Sequence, residues 1–249
     1  MSTPNGNYRK ALITGMLAGG LVLSSSVTAY YKIQPTLVEW DSWPDYCKSA
    51  KYLFINTPQG RSKPKLTKKQ TDLSGKHGIW HFCHSYIMVQ RLELNTHPSQ
   101  REKYLRQADE GIQYVLRQKP DLKEPMIADV VITHARLLRQ QKEPEKALKL
   151  LDKLRSLHPT YLPIYSAYTA LYFDKKTYAP LIALLEEGNK ATENKVAEIQ
   201  YYLGLAYLKA GDIENARIYE KKAREGGYPF RYLTRKLAEY DAKHQATGE

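Results

Sequence analysis

A pattern of small and large residues recurs about every 34 residues between residues 78 and 245. In its clearest copy, EIQYYLGLAYLKAGDIENARIYEKKAREGGYP, the positions that define the pattern are Leu203, Gly204, Tyr207, Gly211, Ala216 and Ala223. The position of Ala216 is taken 35 residues earlier by Leu181, and 34 residues before that by Ala147. Small residues let two antiparallel helices approach closely. Because one helix pair cannot bury its own apolar face, this period predicts that successive pairs stack.

Three further units precede this copy with lower fidelity. The third is IYSAYTALYFDKKTYAPLIALLEEG, the second is ADVVITHARLLRQQKEPEKALKLLDKLRSLHP, and the first pairs GIWHFCHSYIMVQRLEL with SQREKYLRQADEGIQYVLRQKP. Most prolines fall between the helical runs or in their first turns, where proline does not break a helix. The tail PFRYLTRKLAEYDAKH is amphipathic. It suits a capping helix, which the open end of such an array requires.

These residues and spacings resemble the tetratricopeptide repeat (TPR), a helical hairpin repeated at this period. The resemblance covers about 170 residues, roughly 78 to 245, and is strongest in the fourth unit. It implies an all-α fold in which a TPR-like right-handed superhelix of stacked helical hairpins ends in a C-terminal capping helix. A different all-helical array is the alternative.

Residues 1–29 are predicted to be a targeting segment. Arg9 and Lys10 precede an apolar run of 13 residues from Ala11 to Leu23. A membrane-spanning helix needs about 20 apolar residues, whereas the apolar part of a signal peptide needs about 7 to 15. Cleavage after Ala29 is therefore favoured, and an uncleaved membrane anchor is the alternative. In both cases the two basic residues keep the N-terminus in the cytoplasm and place the rest of the chain outside it.

The predicted export of the chain affects how its two cysteines are interpreted. Cys47 and Cys83 are the only cysteines in the chain. An oxidising periplasm favours a disulfide between them, and two buried thiols are the alternative. The bridge would pin residues 30–77, which match no part of the repeat and are predicted to be an irregular N-terminal segment before the repeat domain at 78–249.

The N-terminal segment also contains a basic run, RSKPKLTKKQTDLSGK. Its cations are Arg61, Lys63, Lys65, Lys68 and Lys69. A solvated loop is the favoured interpretation. The alternative is a patch for an anionic surface, either lipid headgroups or an acidic envelope polymer. Although the net charge is +12, nucleic acid is not expected as a partner, because the chain is predicted to be exported and carries no nucleic-acid-binding motif.

The TPR resemblance implies a concave groove lined by the first helices of successive hairpins, which receives an extended peptide or a partner helix. The matched positions here are Asp129, Ile132, Arg136, Arg139, Ser166, Ala170, Phe173, Tyr201, Leu205 and Leu208. The predicted partner-binding residues are Arg136, Arg139, Phe173, Tyr201 and Leu205. We expect the two arginines to grip a ligand carboxylate, with the aromatic residues supplying apolar contact. Solvated helix charges are the alternative for the arginines.

Two other clusters have plainer explanations. His77, His81 and His84 share one helix face, but Gly78 follows His77 directly and no carboxylate stands where it could orient an imidazole, so no metal site is predicted. A tyrosine stripe follows one helix face at Tyr161, Tyr165, Tyr168 and Tyr172. Packing is favoured for this stripe over an aromatic wall for a ligand.

Catalytic motifs such as GxSxG, HExxH, Walker A and GxGxxG are absent from the sequence. We therefore predict no enzymatic activity and no cofactor. The predicted function is a protein-binding scaffold or adaptor of the bacterial cell envelope, with a protein or peptide as its partner. Its predicted location is the periplasm, or the inner membrane facing the periplasm if residues 1–29 are retained. The alternative is an inner-membrane-anchored accessory subunit of a larger envelope complex.

Overall fold

The computed structural model describes residues 32–50, 54–75, 78–94 and 96–247. Within these ranges there are twelve helices and two strands of two residues each. The elements are β1 (Lys32–Ile33), α1 (Leu37–Ser42), α2 (Asp45–Lys48), β2 (Phe54–Ile55), α3 (Lys68–Gly75), α4 (Ile79–Glu93), α5 (Pro98–Leu116), α6 (Pro125–Gln140), α7 (Pro144–Leu157), α8 (Leu162–Lys175), α9 (Ala179–Ala191), α10 (Ala197–Ala210), α11 (Ile213–Glu225) and α12 (Tyr232–Thr247). The predicted all-α class is confirmed, and the predicted targeting segment lies outside the described residues.

Helices α4 to α11 form four consecutive pairs. The two helices of each pair are joined by two to four residues, and such short connections make neighbouring helices run antiparallel. Each pair contacts the next through its adjoining helices. In addition, the first helices of the pairs contact one another in chain order, α4 with α6, α6 with α8 and α8 with α10. These first helices therefore form a common surface.

The backbone repeats the sequence period at the turns within the pairs. Lys142, Lys176 and Gly211 follow the ends of α6, α8 and α10 and all adopt the left-handed conformation, with φ of 66°, 54° and 86°. They are separated by 34 and 35 residues, as the sequence repeat requires. Two of the three are lysines, which accept this conformation at a cost. The turn geometry is therefore dictated by the packing of the two helices as much as by the turn residue.

Two glycines lie where helices pack closely against one another. A Cβ on Gly111 of α5 would lie 2.5 Å from the backbone oxygen of His81 in α4. A Cβ on Gly204 of α10 would lie 2.4 Å from a methyl carbon of Leu233 in α12. At position 111 the clash is with the backbone, so only glycine lets α5 approach α4 there, whereas at position 204 the clash is with the end of a leucine side chain that can rotate away.

The core consists of three successive clusters. The first joins the N-terminal segment to α4, α5 and one side of α6, the second runs from α6 to α10, and the third joins α10 and α11 to α12. Each cluster shares helices or partly buried side chains with the next. Burial therefore depends on neighbouring pairs along the whole repeat region. Among the described residues, no helix has both the length and the apolarity to cross a membrane.

The N-terminal segment contains more regular structure than its sequence suggests, and the second half of the basic run, which was predicted to be a loop, forms helix α3 (Lys68–Gly75). Thr36 and Glu39 form a capping box at the start of α1, in which each side chain accepts a hydrogen bond from the other residue's backbone N–H. Strand β1 pairs in parallel with β2. These elements are short, which is why hydrophobic periodicity does not reveal them.

The disulfide between Cys47 and Cys83 is confirmed. It joins α2 to α4, with 5.2 Å between the two Cα atoms, and both residues are fully buried. Beside it, the indole N–H of Trp43 donates to the backbone oxygen of Cys83 at 3.1 Å. Arg91 of α4 also pairs with Glu39 of α1 at 2.6 Å. The segment before the repeats is thus an integral part of the first core cluster.

Candidate binding groove

The surface made by the first helices contains a groove of about 540 Å³. The residues that line it come from four first helices: Glu93, Ile132, Arg136, Arg139, Leu162, Pro163, Ser166, Ala167, Ala170 and Glu198. Small side chains on α8 leave the open volume, because Ser166, Ala167 and Ala170 cannot fill the space between α6 and α10. The walls combine two cations with two carboxylates, and the floor is mainly apolar.

Arg136 lies in the groove wall and is held by its own chain. Its guanidinium makes a two-pronged contact with the carboxylate of Glu93 in α4, with Nε at 3.2 Å from Oε1. The same group lies over the ring of Tyr86, 5.5 Å from the centroid. Burial lowers the pKa of Arg136, but the hydrogen bond and charge of Glu93 outweigh it and the pKa is raised. Arg136 is therefore a fixed, paired cation that joins α6 to α4.

Arg139 pairs with a carboxylate that is more exposed than Glu93, and its Nη1 also lies 3.8 Å from Oε1 of Glu93. It donates from Nε to Oδ2 of Asp174 at 2.6 Å and from Nη2 to Oδ1 at 3.1 Å. Asp174 is at the end of α8, and its side chain is 56% exposed. Exposed ion pairs contribute about 0–1 kcal/mol, so a ligand carboxylate can compete with Asp174 for Arg139 at little cost. Arg139 also lines an adjoining pocket of about 460 Å³, which extends the groove.

The other predicted partner-binding residues lie elsewhere. Phe173 packs edge-on against Tyr178, with ring centroids 5.7 Å apart. Tyr201 and Leu205 are each 8% exposed and belong to the core cluster beneath α12. The ring of Tyr201 lies 4.6 Å from that of Tyr228. The structure thus brings Arg136 and Arg139 together in the groove but places Phe173, Tyr201 and Leu205 outside its lining.

The repeat pattern did not predict three residues of the groove region. Glu93 and Glu198 line the groove, and Tyr202 contacts two of its lining residues. Glu93 ends α4 and Glu198 begins α10, so both are set by helix ends and not by the helix-face period. The hydroxyl of Tyr202 donates to Glu198 at 2.8 Å and accepts a hydrogen bond from Ser166 Oγ at 3.2 Å. This bridge holds α8 and α10 together across one end of the groove.

Asp129, which was predicted to face the groove, is enclosed by two tyrosines. The hydroxyl of Tyr46 in α2 donates to its Oδ2 at 2.8 Å, and the hydroxyl of Tyr161 donates to Oδ1. Burial raises the pKa of Asp129, and the two hydrogen bonds only partly offset this effect. Burial and the neighbouring carboxylate raise the pKa of Tyr46 as well. The N-terminal segment therefore covers the first-helix surface at this position and closes it to a ligand.

The histidine and tyrosine clusters are packing features in the described residues. The ring of His81 stacks against Trp80 and Tyr114, with centroids 3.6 and 3.8 Å away. Burial lowers the pKa of His81 and of His84 to about 4. His77 lies outside the described residues, and the remaining described side chains form no group of three or more potential metal ligands.

The tyrosine stripe on α8 is largely internal. Tyr165 and Tyr168 are 1% and 0% exposed. The hydroxyl of Tyr168 donates to Asp152 of α7 at 2.6 Å, which satisfies its polar end within the fold. These contacts agree with the packing interpretation of the stripe.

Comparison with known proteins assigns no family to the chain. No protein-family model, curated protein or solved structure matches it.

Proposed function

We propose that this protein is a non-catalytic binding scaffold of the bacterial cell envelope, built as a TPR-like right-handed superhelix. Its groove binds an extended peptide or a helix of a partner protein. The observation that carries the proposal is the groove itself, which is lined by successive first helices and kept open by small residues on α8. The 34- and 35-residue spacing of the left-handed turns supports the TPR-like arrangement.

The charges of the groove indicate what kind of partner it takes. Arg139 is held by an exposed aspartate, so a carboxylate of the partner replaces Asp174 as its bidentate acceptor. Arg136 stays paired with Glu93 and shapes the wall. Ile132, Leu162 and Ala170 provide the apolar floor for a side chain of the partner. The expected ligand is a segment in which an acidic residue neighbours an apolar one.

The proposal also places the protein in the periplasm. The disulfide between Cys47 and Cys83 is compatible with an oxidising periplasm. The apolar run at residues 11–23 supplies the export signal.

Site-specific photocrosslinking in the native host tests the groove. A photoreactive phenylalanine derivative replaces Ala170 in the groove, and as a matched control it replaces Ala183, which is exposed on α9. We expect one reproducible crosslinked partner from position 170 and none from position 183. Equal capture at both positions, or none at position 170, would contradict the groove assignment.

Paired substitutions then test the role of Arg139. Arg139→Ala removes the cation and should weaken capture of the partner found at position 170. Asp174→Asn removes the bidentate acceptor of Arg139, leaves only Oε1 of Glu93 at 3.8 Å from its Nη1, and should strengthen that capture. If both variants changed capture in the same direction, Arg139 would not recognise a partner carboxylate.

The second candidate is a membrane-anchored accessory subunit of a larger envelope complex. Retention of residues 1–29 would favour it. N-terminal sequencing of the protein from its host separates the two, because a start at Tyr30 supports the adaptor and an intact Met1 or Ser2 supports the anchored subunit.

A further inference from the structure

The outer face of α1 exposes two large apolar side chains. Leu37 and Val38 are 51% and 70% exposed, and Val38 is the most exposed large apolar residue of the described chain. The opposite side of the same helix is buried, with Trp40 at 3% exposure. Helix α1 has six residues, and it presents an apolar edge to solvent while it holds Trp40 in the core.

The basic segment is attached to the same face. Asp41 follows Leu37 by four residues and Val38 by three, so the three side chains share one side of α1. Arg61 makes a bidentate bond to Asp41, at 2.8 and 2.7 Å. This bond neutralises the one acidic side chain on that side of α1.

The remaining cations of the segment are available for an external anion. Lys63, Lys65 and Lys68 are exposed. Within the described part of the chain, none of them forms an ion pair with a carboxylate. Three unneutralised cations therefore follow Arg61, which is itself anchored beside Leu37 and Val38.

The start of α1 and the start of the basic segment lie in the same part of the fold. Strand β1 (Lys32–Ile33) pairs with β2 (Phe54–Ile55). Three residues connect β1 to α1, and five residues connect β2 to Arg61.

We propose that the outer face of α1 and the basic segment together lie on an anionic lipid bilayer. We call this the bilayer-facing surface and define it by Leu37, Val38, Lys63, Lys65 and Lys68. The two apolar side chains enter the headgroup boundary, and the lysines pair with lipid phosphates. An acidic polymer would satisfy the lysines but would leave Leu37 and Val38 in water, so the combination favours lipid. This inference is independent of the groove and of its partner.

Fluorescence of a labelled full-length chain tests the proposal. Val38→Cys carries an environment-sensitive dye, and Ile218→Cys, on α11 and 43% exposed, is the matched control. One free thiol per chain before labelling, and none after it, verifies that the Cys47–Cys83 bridge is intact. Each protein is reconstituted into vesicles of phosphatidylcholine alone or with 30% phosphatidylglycerol. We expect a blue shift of the dye at position 38 only in the anionic vesicles, and no shift at position 218.

Charge variants complete the test. Each cation near an anionic surface strengthens binding about fivefold, so Lys63→Gln, Lys65→Gln and Lys68→Gln together should lower the surface-bound to unbound ratio roughly 100-fold. Lys153→Gln, Lys190→Gln and Lys209→Gln change the net charge equally on exposed positions of α7, α9 and α10 and should keep the shift.

Three outcomes would overturn the proposal. One is an equal emission wavelength of the dye at position 38 in neutral and in anionic vesicles, a result that the labelled protein gives without any lysine substitution. Another is an equal loss of the shift in both triple variants. The third is a shift produced by a soluble polyanion and not by anionic vesicles, which would assign the surface to an acidic polymer.

Discussion

Removal of the Cys47–Cys83 bridge should destabilise the protein substantially. The two residues are 36 positions apart, so the bridge closes a loop of 37 residues in the unfolded chain. The loop-entropy relation gives about 13 cal/mol/K for this length, or about 4 kcal/mol at 25 °C. Typical domains have a total unfolding free energy of about 5–15 kcal/mol. The bridge therefore supplies a large share of the stability of the first core cluster.

Urea unfolding of the oxidised protein and of the Cys47→Ala, Cys83→Ala double variant measures this contribution. With a slope of about 2 kcal/mol/M, a loss of about 4 kcal/mol lowers the midpoint by about 2 M urea. Alanine is preferred to serine because both positions are fully buried and a hydroxyl there would need a hydrogen-bond partner. Wild-type protein in reductant is the matched control, and it should unfold near the double variant.

Hydrogen exchange locates the effect. Because each helix pair contacts its neighbours, loss of the bridge should speed amide exchange most in α1, α2 and α4 and least in α11 and α12. Identical midpoints for the oxidised, reduced and double-variant proteins would refute the reasoning. So would a uniform increase in exchange along the repeat region, because the bridge would then stabilise all pairs alike.

Three further changes have outcomes that follow from single contacts. Tyr46→Phe leaves Oδ2 of Asp129 without its 2.8 Å hydrogen bond and should lower the unfolding free energy by about 1–3 kcal/mol in chemical denaturation. Gly111→Ala places a methyl group 2.5 Å from a backbone oxygen of α4 and should cost about 1–3 kcal/mol, seen as a lower thermal midpoint. Burial raises the pKa of Glu39, but its hydrogen bonds to Arg91 and to the backbone outweigh this and lower it below 4.5. Its stabilising effect is therefore present above pH 4.5 and is lost as pH falls through the folded-state pKa, so Glu39→Gln should flatten the acid side of a stability profile. An unchanged unfolding free energy, thermal midpoint or pH profile would show that the corresponding contact does not stabilise the protein as argued.

Helix positions in the repeat region follow from local information. The apolar period of 3.6 residues predicted α4 (Ile79–Glu93) and α7 (Pro144–Leu157) closely, and Pro144 marked the start of α7. These signals act within a few residues along the chain. The short helices of the N-terminal segment give no comparable signal, and α1 is revealed only by the capping box of Thr36 and Glu39.

The candidate site depends on contacts between distant residues. The repeat places Arg136 and Arg139 on the first-helix surface, but their acceptors Glu93 and Asp174 are 43 and 35 positions away. Spacing within one helix carries no information about such pairs. The same limit applies to Tyr201, which the repeat assigns to the surface and which packs against Tyr228 in the last core cluster.

The order of residues along the chain was enough to predict the all-helical class, the period of the helix pairs and the pairing of the two cysteines. Those properties arise from short-range preferences and from the need of each pair to bury one face. The pairing of the groove arginines, the covering of Asp129 by the N-terminal segment and the burial of Tyr201 arose from packing between helices remote in sequence. A side chain's partner there depends on the three-dimensional placement of whole helices, which no local pattern encodes.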